Sequence, residues 1–334
     1  MSEKIFPNIL KIKVPLLNSP LGHLNSYLIK SEEESLLVDT GLESPFAFQL
    51  LCRALSEAEV ELEDLTKILI THFHIDHVGL LPRLCKLSPD IKILGHDLEV
   101  KLSKVMVQEF DDYEENLVNF LSANGAPPHV TDLKSFHPAF STPLAYEEIS
   151  TRAFPLKDKQ EISIGSFKFQ VEWTPGHSPG HICLYEPSLK ILVSGDHLLP
   201  TITPHIAQFM EDMNPLREYL DSLKKVAELD VNLVLPGHEE CFTNHRERTM
   251  HIEKHHEQRL TEIVRKLKAE SLTPYMLASK IQWDINYNSW DDFPSFQKYL
   301  ALGETIAHLN LLEQKEIVQK TQLNKTIMYN LQKC

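Results

Sequence analysis

Residues 71–77 read Thr-His-Phe-His-Ile-Asp-His and follow directly on the short apolar run Thr66–Ile70. A run of that kind reads as a buried strand. Three histidines and an aspartate therefore fall within six residues at the point where a strand ends. Side chains alternate along an extended segment, which puts His72 and His74 on the same side. Asp76 and His77 come on the turn into a helix that starts near Val78. Imidazole and carboxylate donors gathered this closely suit Zn2+, and also Fe or Mn. The competing reading is a histidine-rich surface turn.

Three later segments repeat the arrangement. Trp-Thr-Pro-Gly-His-Ser-Pro-Gly-His spans 173–181, Val-Ser-Gly-Asp-His spans 193–197, and Leu-Pro-Gly-His-Glu spans 235–239. Each places a donor (His177, Asp196, His238) just after a strand-like run, behind a glycine that lets the backbone turn tightly. One such segment is weak evidence; the ordered set of four is specific. His181 and His197 are expected to support the site rather than ligate. His205 is a candidate to line a substrate pocket, or else an exposed loop residue. His255 and His256 lie in a charged helical run and are expected on a solvated face. Cys183 and Cys241 read as small buried hydrophobes.

The 334 residues are 42% hydrophobic, enough for a sizeable core and for about two domains. Strands are expected at Ile9–Leu16, Ser26–Lys30, Ser35–Val38, Glu161–Ile164, Lys168–Trp173, His181–Tyr185, Lys190–Ser194 and Asn232–Leu235. Helices are expected at Pro45–Ala58, at Pro215–Leu229 behind Asn214 as N-cap, and over Asn244–Glu270. Residues 97–155, with a long acidic helix or helix pair over Asp97–Asn124 and a Pro-rich stretch from Pro127 to Pro143, read as an insertion. The tail carries helical runs at Pro274–Ile281 and Ser295–Leu312, then a hairpin, Ile317–Lys320 with Thr326–Leu331. No internal repeat is present. The expected division is 1–245 for the main domain, 246–270 for a connecting helix and 271–334 for a small C-terminal domain.

The five cysteines (Cys52, Cys85, Cys183, Cys241, Cys334) are far apart and never in a C-x-x-C pair, which favours a reducing compartment. With no apolar run near the length of a membrane span and no signal-like segment over Met1–Pro15, the expectation is a cytoplasmic protein without a membrane partner. The net charge is −14. Between Asp97 and Ser150 ten acids face three lysines, and residues 271–334 hold six lysines, six acids and no arginine. A negative field repels phosphate backbones, which argues against nucleic acid as a partner.

The four segments, together with Leu37-Val38-Asp39-Thr40-Gly41, resemble the metallo-β-lactamase superfamily over roughly residues 10–245. The resemblance implies an α+β fold, an αββα sandwich with the site at one edge of its two sheets. It assigns His72, His74 and His177 to one metal, Asp76, His77 and His238 to a second, and Asp196 to both. Asp76 takes the catalytic role and Asp39 supports the ligand loop. In the di-iron redox branch a Glu is usual where His74 stands, and antibiotic-hydrolysing members often carry Cys where Asp196 stands. The pattern is closer to the hydroxyacylglutathione hydrolases. The tail, with Thr273–Ala278 opening one helix and His308–Leu312 closing another, resembles the winged-helix module of the β-lactamase-like-2 group, some of whose members are endoribonucleases. Without a basic face, packing or contact within a homo-oligomer is the expected role.

The expectation is a hydrolase with two zinc ions, using a metal-bridging hydroxide on an ester or thioester of a small molecule. Its rivals are phosphodiester or RNA cleavage in the same fold, and a mononuclear iron oxygenase using His72, His177 and Asp196. A non-enzymatic regulator would have no need of the complete donor set. Phe110, Tyr113 and Phe120 of the insertion are candidates for an apolar pocket wall, or for packing the insertion onto the sandwich.

Overall fold

The computed structural model describes residues 2–332 apart from residue 18, residues 136–142 and residues 285–286. Cys334 and the middle of the Pro127–Pro143 stretch lie outside the described residues.

Two sheets form the centre. The first has seven strands in sequential order: β1 (Ser2–Phe6), β2 (Ile9–Pro15), β3 (His23–Lys30), β4 (Ser35–Val38), β5 (Lys67–Leu69), β6 (Lys92–His96) and β7 (Ala153–Leu156). Pairing is antiparallel up to β4 and parallel from β4 to β7. The second sheet runs β12 (Leu233–Pro236), β11 (Ile191–Gly195), β10 (Ile182–Glu186), β9 (Phe167–Trp173), β8 (Glu161–Ile164), with only β11 and β12 parallel.

Strand periodicity explains the layering. Leu36 and Val38 of β4 join Tyr27 and Ile29 of β3 in a core shared with Phe169, Val171, Ile182, Leu184, Ile191 and Val193 of the other sheet. Leu37 and Leu28, one residue out of phase, face the opposite way into a cluster with Leu51, Ala54 and Leu55 of α1 (Pro45–Glu57). Likewise Cys183 and Leu192 turn from the inter-sheet core toward Leu216, Tyr219 and Leu223 of α8 (Pro215–Ala227). Strands covered on both faces lose the polar half of the alternation and read as continuous apolar runs. The result is helix, sheet, sheet, helix: the expected αββα sandwich.

Two short helices, α2 (Ile75–Val78) and α3 (Leu81–Leu87), follow β5; the insertion contributes α4 (Asp97–Gln108), α5 (Phe110–Ala123), α6 (Pro128–Thr131) and α7 (Pro143–Arg152), and then returns as β7 at the edge of the first sheet. Strands β1, β6 and β7, which the pattern missed, are four or five residues each and carry no clear alternation. Asn214 starts α8 but makes no side-chain cap; its amide donates to Gln314 instead.

After β12 come α9 (His245–Leu267), α10 (Pro274–Ala278), α11 (Ser295–Gln314) and the hairpin β13 (Val318–Leu323) with β14 (Thr326–Leu331). Their apolar side chains, among them Ile263, Leu277, Leu309 and Ile327, share one cluster with Leu192 and Val234 of the second sheet. His256 departs from its expected solvated face. It is buried, and its Nδ1–H donates to His308 Nε2 at 3.1 Å, because His308 Nδ1–H is already given to Glu304 O at 2.7 Å. The partner comes from α11, 52 residues away, and periodicity within α9 carries no trace of it. Among the described residues no helix is long and apolar enough to cross a membrane.

Candidate metal centre

Strands β4, β5, β9, β11 and β12 end at the same edge of the sandwich, and each delivers one segment of the site. Backbone bonds lock the two sheets together there. Ile182 N–H donates to Thr71 O at 3.0 Å, and Asn25 donates from its backbone N–H to Gly237 O and from its side chain to Pro236 O and Glu239 O.

Three donor groups result: His72, His74 and His177; His72, His77 and Asp196; Asp76, His77 and His238, each with its ligand atoms within 4.8 Å of one another. All seven residues singled out from the sequence are brought together. Asp196 lies between the others: Oδ1 is 3.4 Å from His77 Nε2, while Oδ2 is 3.6 Å from His177 Nε2 and 3.5 Å from His238 Nε2. His238 Nε2 is also 3.4 Å from Asp76 Oδ2. These separations are too long for good hydrogen bonds. They match the edge, about 3.3 Å, of a tetrahedron of ligands held about 2.0–2.1 Å from a zinc ion. His77 Nε2, His177 Nε2, His238 Nε2 and Asp196 Oδ1 are all buried without a hydrogen-bond partner. A protein interior seldom leaves such atoms unpaired, and these four lie together at the sheet edge.

The far side of four of the five imidazoles is tied, while His74 turns its Nδ1 to His72 Nε2 at 2.9 Å. His77 Nδ1–H donates to Asp39 Oδ2 at 2.8 Å, His177 Nδ1–H to His205 O at 2.9 Å, and His238 Nδ1–H to His23 O at 3.0 Å. Thr71 Oγ–H is given to Asp39 Oδ2, so His72 Nδ1–H donates to Thr71 Oγ at 3.0 Å. Each bond leaves the Nε2 lone pair of its ring aimed inward, the arrangement that orients metal ligands. Asp39 also accepts Thr71 N–H at 2.8 Å, so one buried carboxylate sets the start of the ligand loop.

Charge in the cluster points the same way. Burial pushes the His72 imidazole well below its usual range and brings His74 to about 3, each helped by neighbouring histidines. Burial also works against charge on His77 and His238, but Asp196, with Asp39 beside one and Asp76 beside the other, outweighs it. His77 is raised, and His238 is held at about 10. Burial would raise Asp76; the His238 ring beside it and the charge of His77 bring it down to about 2. The carboxylates thus demand positive charge, supplied by protons on two imidazoles or by a cation.

Gly237 is required for this crowding, since a Cβ there would lie 2.5 Å from Asp196 Oδ1. His181 and His197 are buried and stand outside the three groups. His181 Nε2 instead accepts Asp196 N–H at 3.2 Å, and its Nδ1 meets Thr174 Oγ at 2.9 Å. His205 was singled out for its side chain, yet its carbonyl is what reaches the site. Its ring turns away, Nε2–H donating to Leu300 O of α11 at 2.9 Å. Phe120 packs with Leu117, Leu121 and Leu302, and Tyr113 links that cluster to Met106 and Tyr146. Tyr146 meets Phe73, next to His74, with ring centres 6.1 Å apart.

Residues 20–238 match the family model of the metallo-beta-lactamase superfamily. The chain belongs to that superfamily. With the donor set described above, it is a metal-dependent hydrolase. It is 26% identical over 339 residues to the "Probable metallo-hydrolase YqjP" of Bacillus subtilis, with 98% of each chain covered. It is 24% identical over 220 residues to the "Atrochrysone carboxyl ACP thioesterase" of Aspergillus fumigatus, covering 66% of this chain and 52% of that one. Among solved structures, the metallo-beta-lactamase family protein TTHA1429 of Thermus thermophilus superposes with a TM-score of 0.79 at 24% identity, over 98% of this chain and 100% of that one. A beta-lactamase domain protein of Burkholderia ambifaria gives 0.78 at 22%, over 99% and 94%. The shared fold therefore extends through the helices and hairpin that follow β12.

Proposed function

We propose that this superfamily member binds two divalent ions at the sheet edge and hydrolyses an ester or thioester of a small molecule. The gathering of three buried, unpartnered imidazole nitrogens around the Asp196 carboxylate carries this reading. His72, His74 and His177 would hold one ion, Asp76, His77 and His238 the other, and Asp196, whose oxygens face different histidines, would serve both. Zinc suits nitrogen and carboxylate donors, and Fe or Mn would suit the same set. When bound, such ions supply an activated water near neutral pH and polarise a carbonyl.

The chain's own residues do the positioning. Asp39, Thr71 and the carbonyls of His23 and His205 hold four imidazoles with Nε2 facing inward. Burial keeps His72 and His74 unprotonated and ready to ligate. Asp76, the more exposed of the two clustered aspartates, stays ionised and is the proposed catalytic carboxylate, accepting a hydrogen of the attacking water.

Charge favours a small acyl substrate over a polynucleotide. The insertion's first helix, α4, docks against the ligand loops, and residues 97–150 carry ten acids against three lysines. An acidic neighbour repels a polyanion and gives no counterion-release gain. The thioesterase named among the relatives supports the same class. The test compares kcat/KM on a short series of thioesters, esters and lactones with that on single-stranded RNA at two salt concentrations. Acyl substrates are expected to lead by at least a hundredfold, about 2.7 kcal/mol of transition-state discrimination. Efficient RNA cleavage that weakens as salt rises would overturn the reading.

A further inference from the structure

Helix α4 is rich in charge, yet Glu99 in its first turn is fully buried. Its Oε2 accepts Phe73 N–H at 3.1 Å, and its Oε1 accepts Ser178 Oγ–H at 2.6 Å and Gly180 N–H at 2.7 Å. Phe73 stands between His72 and His74, and Ser178 follows His177. A single carboxylate, carried by neither loop, therefore ties together the two loops that supply the three-histidine group.

The contact is closely fitted. A Cβ on Gly180 would lie 2.7 Å from Glu99 Cγ and 2.8 Å from the Glu99 backbone nitrogen, so helix and loop meet at a distance only glycine permits. One residue before α4, the His96 ring stacks on Trp173 with centres 5.3 Å apart and planes within 6°. Trp173 Nε1–H donates in turn to Pro179 O at 3.0 Å, fixing the same loop from its other side. A buried carboxylate is costly unless its hydrogen bonds are made. Here those bonds go to donors on two separate loops, which an apolar side chain could not hold in register.

We propose that Glu99 is a positioning residue of the metal centre: it sets the spacing between the His72–His74 loop and the His177 loop, and so couples metal affinity to the docking of the insertion. This rests on the metal-binding reading above. Groups that hydrogen-bond metal ligands typically change affinity by about 10- to 100-fold when removed, and Glu99 acts through the loop residues next to those ligands. The coupling is reciprocal, so metal binding tightens α4 against Gly180 by the same factor that α4 tightens metal binding.

The experiment titrates metal-free wild type, Glu99→Gln and Ser178→Ala with Zn2+ against a competing chelator, and with Co2+ by visible absorption. Amide exchange over α4 is followed with and without Zn2+. In wild type, Zn2+ is expected to slow exchange in α4. Glu99→Gln should weaken Zn2+ affinity by about 10- to 100-fold, shift the Co2+ bands and abolish the Zn2+-dependent protection. Ser178→Ala, which removes one donor and keeps the carboxylate, should act in the same direction by a smaller factor. It keeps the proposal testable if Glu99→Gln fails to fold. Unchanged affinity and unchanged Co2+ bands in folded variants, with only a lower melting temperature, would overturn the proposal and leave Glu99 a packing residue. Absence of Zn2+ binding in wild type would instead overturn the metal-centre reading itself, and the coupling with it.

Discussion

Asp39 Oδ2 and His77 Nδ1 are joined by a 2.8 Å hydrogen bond between two side chains closed off from solvent. Asp39 reaches this position with φ of 58°, left-handed backbone that aspartate tolerates better than most residues. From there one carboxylate holds Thr71 N–H, Thr71 Oγ–H and His77 together. It therefore determines both where the ligand loop begins and which nitrogen of His77 faces inward.

Replacing Asp39 by Asn keeps the shape but puts an amide against Nδ1–H or the Thr71 donors. Zn2+ affinity should fall by about 10- to 100-fold, read by chelator competition. Wild-type affinity in a folded variant would show that Asp39 does not orient His77.

Asp196→Ala removes the carboxylate that lies 3.4–3.6 Å from His77, His177 and His238. Elemental analysis after reconstitution should find about two ions per chain in wild type, as expected of a two-metal site, and the variant should lose most of the second. Full occupancy in the variant would show that Asp196 does not serve both positions.

His205→Ala deletes the ring but leaves the carbonyl that holds His177. Because the ring bonds to Leu300 O, the change should cost about 1 kcal/mol of stability and leave KM within about twofold, since no substrate contact is lost. A large rise in KM with unchanged stability would return the side chain to the substrate pocket.

The metal-free protein should lose stability as pH falls from about 6.5, the unperturbed pKa of histidine. His72, His74, His177, His181, His197, His256 and His308 are all lowered by burial, with His74 and His197 at about 3 and His308 at about 4. The unfolded chain takes up protons on these rings before the folded one does. Each such proton contributes a slope of about 1.4 kcal/mol per pH unit, with stability rising with pH. His77 and His238 are raised, so they are protonated in both states below that pH and add no slope there. Glu99, raised by burial to about 7, opposes the trend by one proton between about 4.5 and 7. Urea midpoints in the presence of a chelator should therefore drop between pH 7 and pH 5. A flat profile would contradict neutral burial of these histidines.

The seven clustered donors were legible in the residue order itself, and the αββα layering was legible there through the resemblance to the metallo-β-lactamase superfamily. Leu36, Leu37 and Val38 face alternate layers because successive side chains on a strand must, and the donors sit in short segments that end strands, so period and position were enough to find them. Other features were decided only in three dimensions. The carbonyls of His23 and His205 fix the tautomers of His238 and His177, and a backbone oxygen is common to every residue. Glu99 reads as one more acid on an acidic helix until α4 meets Gly180, and His256 reads as solvated until α11 brings His308 to it. In each case the partner lies 28 to 215 residues away. Local pattern records which face of an element is apolar; which polar groups meet across the fold depends on how the elements pack.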